Sequence, residues 1–132
     1  MLRRIIALTV LATTLNALAA DKNKEAFVLQ KSSSPLVNFR ILFMTGAADD
    51  PAGKKGIAAL TAAMLSQGGS EKLAYDEIVK QFYPMAAGFS AQVDKEMTVF
   101  SGATHKDTLE KYYGLIRQML LEPGFQIGRA HV

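Results

Sequence analysis

Hydrophobic and polar side chains alternate in part of residues 36–44, with the period of a β-strand that buries one face. The side chains that would share this face are Val37, Phe39, Ile41 and Phe43. Residues 25–30 are also rich in strand-forming side chains. Residues 89–93 and 98–104 predict two more strands, joined by the polar segment 94–97.

The period changes to that of an α-helix in residues 107–121, where apolar side chains recur at i, i+3, i+4 and i+7. The members of this stripe are Leu109, Tyr112, Tyr113, Ile116, Met119 and Leu120. Asp107 and Glu110 stand three residues apart at its start. They predict an N-cap pair akin to a capping box.

Two further helices are predicted between the strands, over residues 74–82 and from residue 53 or 54 to residue 67. The latter ends at the glycine pair 68–69, which is typical of a helix C-cap. The predicted order of elements is therefore ββααββα. Because strands and helices are segregated, we expect an α+β fold with helices on one face of a mostly antiparallel sheet.

The first twenty residues have the layout of a secretory signal peptide. A basic start is followed by an apolar stretch, residues 5–18, and by a small-x-small cleavage site at residues 17–19. A membrane anchor is the alternative. It is disfavoured because the apolar stretch is too short to span a bilayer comfortably. We expect residues 1–20 to be removed and the mature protein to be periplasmic, with no membrane attachment.

The last six residues, 127–132, resemble the translation of a sequencing-adaptor oligonucleotide. We interpret them as a non-native tail, with a short genuine C-terminus as the alternative. Residues 21–126 then form the first part of a truncated domain. We expect this part to be poorly soluble by itself, because a truncated domain exposes sheet edges and apolar faces.

The net charge of +3 comes from the two ends of the chain. Of fifteen basic residues, Arg3, Arg4 and Arg129 lie there, and the other twelve balance twelve acidic residues. A neutral domain makes no case for nucleic-acid binding. The chain has no cysteine, which excludes disulfides and thiolate metal sites.

The most distinctive stretch is residues 46–70, whose key members keep a characteristic order and spacing. They are Asp49, Asp50, Pro51, Gly53, Lys54, Gly56, Ile57, Ala58, Leu60 and Met64. This stretch resembles the segment around the inverted zinc motif, His-x-x-Glu-His, of the insulinase/pitrilysin metallopeptidases. The positions of the two histidines and the glutamate of that motif are occupied by Ala59, Ala63 and Ala62 in this chain.

Alanine at these positions removes the chemistry of the motif. An alanine methyl has no lone pair, so it can neither bind zinc nor move a proton. The alternative is a purely structural role, in which these alanines only reflect high helix propensity. The order of the flanking residues favours a degenerate zinc helix instead.

The resemblance covers about residues 25–125 and implies a function. Members of this family often work as pairs of similar halves, of which one carries zinc. The resemblance therefore implies a catalytically silent subunit or half that supports an active zinc-bearing partner and holds peptide substrate. No cofactor is expected in this chain. The family's third zinc ligand would fall beyond residue 132.

Substrate peptide can add as a strand to a sheet edge in the active half of such enzymes, through main-chain hydrogen bonds. The matching edge in this chain is formed by Phe89, Ser90, Ala91, Gln92 and Val93. The resemblance implies a peptide or partner contact there.

Two other functions stay open. The chain could belong to a zinc metalloendopeptidase whose active motif lies in sequence missing from it. It could also be a structural or binding protein with no peptidase partner.

The remaining polar residues have simpler interpretations. His105 is expected to be a surface turn residue, because it has no second ligand nearby in sequence. Asp49 and Asp50 suit caps and turns better than a cation site. Lys95 and Glu96 predict a local surface ion pair of small effect.

Overall fold

Three strands form one antiparallel sheet in the computed structural model, which describes residues 28–126. They are β1 (Leu36–Phe43), β2 (Gly88–Val93) and β3 (Thr98–His105). β3 lies in the middle and pairs with both of the others. The chain divides into two units, Met1–Ser32 and Ser33–Val132, and every element named here belongs to the second.

Within residues 28–126, three α-helices accompany the sheet: α1 (Ile57–Gln67), α2 (Tyr75–Phe82) and α3 (Leu109–Leu121). Short 3-10 turns occur at Ala47–Asp49, Tyr83–Met85 and Lys106–Thr108. The α+β class and the antiparallel sheet predicted from sequence are confirmed. Within residues 28–126, no helix has the length and apolar character needed to cross a membrane.

The pairing register gives the sheet two different faces. Phe39 of β1 and Phe89 of β2 both lie opposite Gly102 of β3. Since side chains alternate along a strand, Phe100 is on the same face. The ring of Phe89 stacks on that of Phe100 with centroids 5.8 Å apart, and Phe39 lies 6.3 Å from Phe89. We call this aromatic side the inner face.

Tyr112 of α3 packs onto the inner face at Gly102. It is 1% exposed, and its hydroxyl donates a hydrogen bond to the Gly88 carbonyl at 2.6 Å. A methyl group at Gly102 would collide with this hydroxyl and with the Phe39 ring, so the position needs glycine. Burial raises the pKa of Tyr112 to about 12.

Side chains of α2, α3 and the turn between α2 and β2 form the main hydrophobic core. Its buried members are Ile78, Phe82, Met85, Tyr112, Leu115, Ile116 and Met119. The predicted stripe on α3 is therefore partly wrong, because Leu109 and Tyr113 are exposed and Leu115 is buried. The buried positions 112, 115, 116 and 119 still repeat at i, i+3, i+4 and i+7, but they lie to one side of the predicted stripe.

The strand predicted over residues 25–30 does not form in its described part. Residues 25–27 lie outside the described residues, and residues 28–30 are not in a strand. In the part of the chain that is described, β1 pairs only with β3. Strand propensity needs a neighbouring strand to take effect, and side-chain composition alone does not supply one.

Two predicted helix starts also differ from the structure. α1 begins at Ile57 because Gly53 and Gly56 have φ of 80° and 92°, outside the right-handed helical region. The predicted cap at Asp107 is wrong, since this residue lies in a 3-10 turn ahead of α3. Its backbone N–H instead donates to Nδ1 of His105 at 3.3 Å.

Candidate functional site

α1 carries the three alanines at the positions of the zinc motif. Ala62 is 3% exposed, whereas Ala59 and Ala63 are exposed and lie one helical turn apart. α1 packs mainly on β2, with Cα atoms of the two elements within 8 Å. Small side chains permit this close approach. The helix therefore buries the middle position of the motif and leaves the two histidine positions open.

The residues at these positions do not fit a zinc ion. Two imidazoles at Ala59 and Ala63 would share one side of the helix, as zinc binding requires. Methyl groups there supply no ligand. Among residues 28–126, no group of three or more His, Cys, Asp or Glu side chains is arranged to hold a metal ion.

Asp50 caps the N-terminus of α1 from outside the helix. Its carboxylate accepts hydrogen bonds from the backbone N–H of Gly56 at 2.5 Å and of Ala58 at 3.0 Å. The bond from Ala58, followed by that from Gly56, lowers the pKa of Asp50 below its usual value of 3.8. The side chain satisfies N–H groups that a helix start would otherwise leave unpaired.

Asp49 organises the loop ahead of this cap. Its Oδ2 accepts from the backbone N–H of Gly46 and from the hydroxyl of Thr45, both at 3.0 Å. The predicted capping and turn roles of Asp49 and Asp50 are thus confirmed.

The loop before α1 is also attached to the β2–β3 hairpin. The N–H groups of Ala47 and Ala48 donate to the carbonyls of Asp94 and Lys95 at 2.9 and 2.8 Å. Gly46 is buried against this turn, and any side chain there would collide with the Asp94 carbonyl. Backbone pairing between distant segments carries no side-chain signal, so sequence patterns alone do not reveal this attachment.

The edge predicted to contact peptide is β2. Within the described residues β2 pairs only with β3, which leaves its other edge without a strand partner. Phe89 packs into the inner face, and Ala91 and Val93 are half-buried. Ser90 and Gln92 are exposed. A peptide that approached this edge would meet main-chain groups and these two polar side chains.

His105 ends β3 and is far in sequence from the alanine positions. Its Nδ1 lies 3.3 Å from the Asp107 carboxylate, and its side chain is 40% exposed. This placement agrees with the predicted surface turn role. Lys95 and Glu96 are exposed in the β2–β3 turn. No ion pair joins them there, so the predicted local ion pair is wrong.

The sequence model of the insulinase family, peptidase family M16, matches residues 26–129. This range is most of the chain, so the chain belongs to that family. The family resemblance read from residues 46–70 is confirmed.

Three solved structures share the fold. The inactive domain of a peptidase M16 from Pseudomonas fluorescens is 26% identical, with a TM-score of 0.67 over 75% of this chain and 24% of that chain. Pitrilysin is 20% identical, with a TM-score of 0.60 over 69% and 10% of the two chains. A protease from Helicobacter pylori is 18% identical, with a TM-score of 0.60 over 68% of this chain and 22% of that chain.

This chain therefore spans about a quarter or less of the length of these structures. The two neighbours of lower identity support the fold alone. No curated protein matches the chain at a significant level.

Proposed function

We propose that this chain belongs to a catalytically silent subunit or half of an exported insulinase/pitrilysin-type peptidase. The observation that carries the proposal is the presence of Ala59, Ala62 and Ala63 where the family motif has its two histidines and its glutamate. Zinc in such an assembly would belong to the active partner. The similarity to a structure described as an inactive M16 domain supports this proposal.

The role we propose for the silent part is to support the active partner and to hold peptide. The edge of β2 that has no strand partner among the described residues offers main-chain donors and acceptors to an extended peptide. Ser90 and Gln92 flank that edge. Asp50 fixes the start of α1 by hydrogen bonds, and the loop ahead of α1 is hydrogen-bonded to the β2–β3 turn. None of these contacts involves a metal ligand, which supports a helix that needs no zinc.

One observation also supports a second function, that of a zinc endopeptidase. The chain spans only 24% of the Pseudomonas fluorescens structure that it matches. A zinc endopeptidase with its active motif in another part of the same polypeptide would also contain a degenerate unit of this kind.

Export is proposed from residues 1–20, which lie outside the described residues. N-terminal sequencing of the protein recovered from a periplasmic fraction tests this directly. A mature start at residue 20 or 21 is expected, and an uncleaved Met1 would contradict it.

The main test uses the complete subunit, purified with and without its partner. Elemental analysis is expected to find no stoichiometric zinc in the separate subunit, and peptide hydrolysis is expected only when an active partner is present. Chelator-sensitive hydrolysis by the separate subunit would favour the second function. Zinc bound at α1 would overturn the proposal itself, and anomalous X-ray scattering from crystals of the subunit would locate it.

A further inference from the structure

The sheet side opposite the inner face, which we call the outer face, differs from it in the elements that pack on it and in its charged side chains. Outer-face positions are the even-numbered residues of β1 and β2 and the odd-numbered residues of β3. None of these positions is Asp or Glu. The outward residues of β1 and β2 are all exposed, so no described helix covers them.

An open groove of about 700 Å³ crosses the middle of this face. Its outer-face lining consists of Asn38, Arg40, Gly88, Ser90, Ser101 and Ala103. The register places Arg40 opposite Ser101, and Ser101 opposite Ser90. Adjacent strands are about 4.8 Å apart, so this polar row extends for roughly 10 Å across the sheet.

Arg40 is the charged group of the groove. It is exposed, and it forms no ion pair with any residue in the described part of the chain. A guanidinium group binds a carboxylate through two parallel hydrogen bonds, which a lysine cannot reproduce. The neighbouring serine hydroxyls can donate to or accept from a peptide backbone.

We propose that this groove is a docking site for an acidic polypeptide segment. A carboxylate of that segment pairs with Arg40, and its backbone crosses the row formed by Ser101 and Ser90. The complementary charge selects the partner, because the face offers a cation and no acidic residue, beside polar groups and the exposed Leu36 and Leu42. The site is separate from the alanine positions of α1, and it does not depend on whether the assembly binds zinc.

The test measures binding of a fluorescent peptide to the full-length protein. The probe is acetyl-Gly-Ser-Glu-Glu-Ser-Gly-amide, and the matched probe has glutamine in place of both glutamates. We expect the acidic probe to bind about threefold to fivefold more tightly than the glutamine probe, as an exposed ion pair implies. Raising the salt concentration should weaken only the acidic probe.

Variants locate the contact. Arg40→Gln and Ser101→Asp should each weaken binding of the acidic probe by about threefold to fivefold, the first by removing the cation and the second by neutralising it. Lys111→Gln, at an exposed cation of α3, should leave binding unchanged. Equal binding of both probes, or full binding by Arg40→Gln and Ser101→Asp, would overturn the proposal. Circular dichroism of each variant checks that the fold is kept.

Discussion

α3 and α1 are attached to the rest of the domain in different ways. α3 buries large side chains, among them Tyr112 and Met119, in the main core. α1 buries Ala62 and Ser66, and it exposes Leu60 at 62% and Ile57 at 42%. The first helix is held by the packing of large side chains, and the second by close packing of small side chains on β2, by its cap and by the loop that leads into it.

The difference has a consequence for α1. None of its eleven residues is charged, although much of its surface is exposed. A helix that is apolar on all sides is normally covered by protein. We therefore expect other polypeptide, from the same domain or from a partner, to cover α1 in the complete assembly. The poor solubility predicted for residues 21–126 has the same origin, and a soluble monomer with a sharp cooperative melt would contradict it.

The largest effect is expected on the α3 side of this comparison. Gly102→Ala places a methyl group against the Tyr112 hydroxyl and the Phe39 ring, where no space exists. Overpacking of this kind should lower the free energy of unfolding by about 3 kcal/mol. Urea unfolding of the full-length protein measures the loss.

Gly114→Ala is the matched control for that change. Gly114 lies inside α3, and no atom is within 4 Å of an added methyl group. Because alanine favours a helix more than glycine does, stability should rise by up to about 1 kcal/mol. Similar losses in both variants would show that the close contact at Gly102 has no special importance.

The next largest effect is expected from a comparison of the same substitution on the buried and exposed sides of α1. Ala62→Glu would bury a carboxylate at a position that is 3% exposed, whereas Ala59→Glu places it in solvent. We expect a loss of about 2 to 3 kcal/mol for the first and less than about 0.5 kcal/mol for the second. Equal melting temperatures would contradict the different burial of the two positions.

Much of the fold could be predicted from the sequence because its signals are local. Polar–apolar alternation in β1 and glycines after α1 depend on neighbouring residues alone, and both predictions hold. The failures involve interactions over distance. Residues 28–30 have strand-forming side chains but no strand partner. Leu115 is buried because of where α3 lies on the sheet, which its periodicity does not determine.

In the candidate site, too, local features could be predicted from the sequence and long-range contacts could not. The alanine positions and the capping residues Asp49 and Asp50 could be found by spacing, because they lie within fifteen residues of one another. The attachment of this loop to Asp94 and Lys95 uses backbone atoms from a distant hairpin. It therefore has no residue pattern, and only the structure reveals it.

A smaller effect tests the cap that holds α1. Asp50→Asn keeps an acceptor but loses the charge, and we expect the melting temperature at pH 7 to fall by about 5 °C. Because the pKa of Asp50 is below 3.8 in the folded state, its contribution is complete above pH 3.8. It disappears as the pH falls below 3.8 through the folded-state pKa.

Melting temperatures measured from pH 7 to pH 2.5 check this prediction. The difference between wild type and Asp50→Asn should narrow below pH 3.8. Gln92→Asn, a change between neutral side chains at an exposed position of β2, should show no such narrowing. A constant difference across the pH range would mean that the Asp50 charge does not contribute.

The smallest expected effect tests whether α1 keeps the geometry of its family's metal helix. Ala59→His with Ala63→His restores two imidazoles one turn apart on the exposed side, without a charge at buried Ala62. Two ligands bind zinc only weakly, so excess zinc should raise the melting temperature by about 2 °C. The single change Ala59→His should not respond. A similar rise in the wild-type protein would place the zinc site elsewhere in the chain and would contradict the use of α1 as the metal helix.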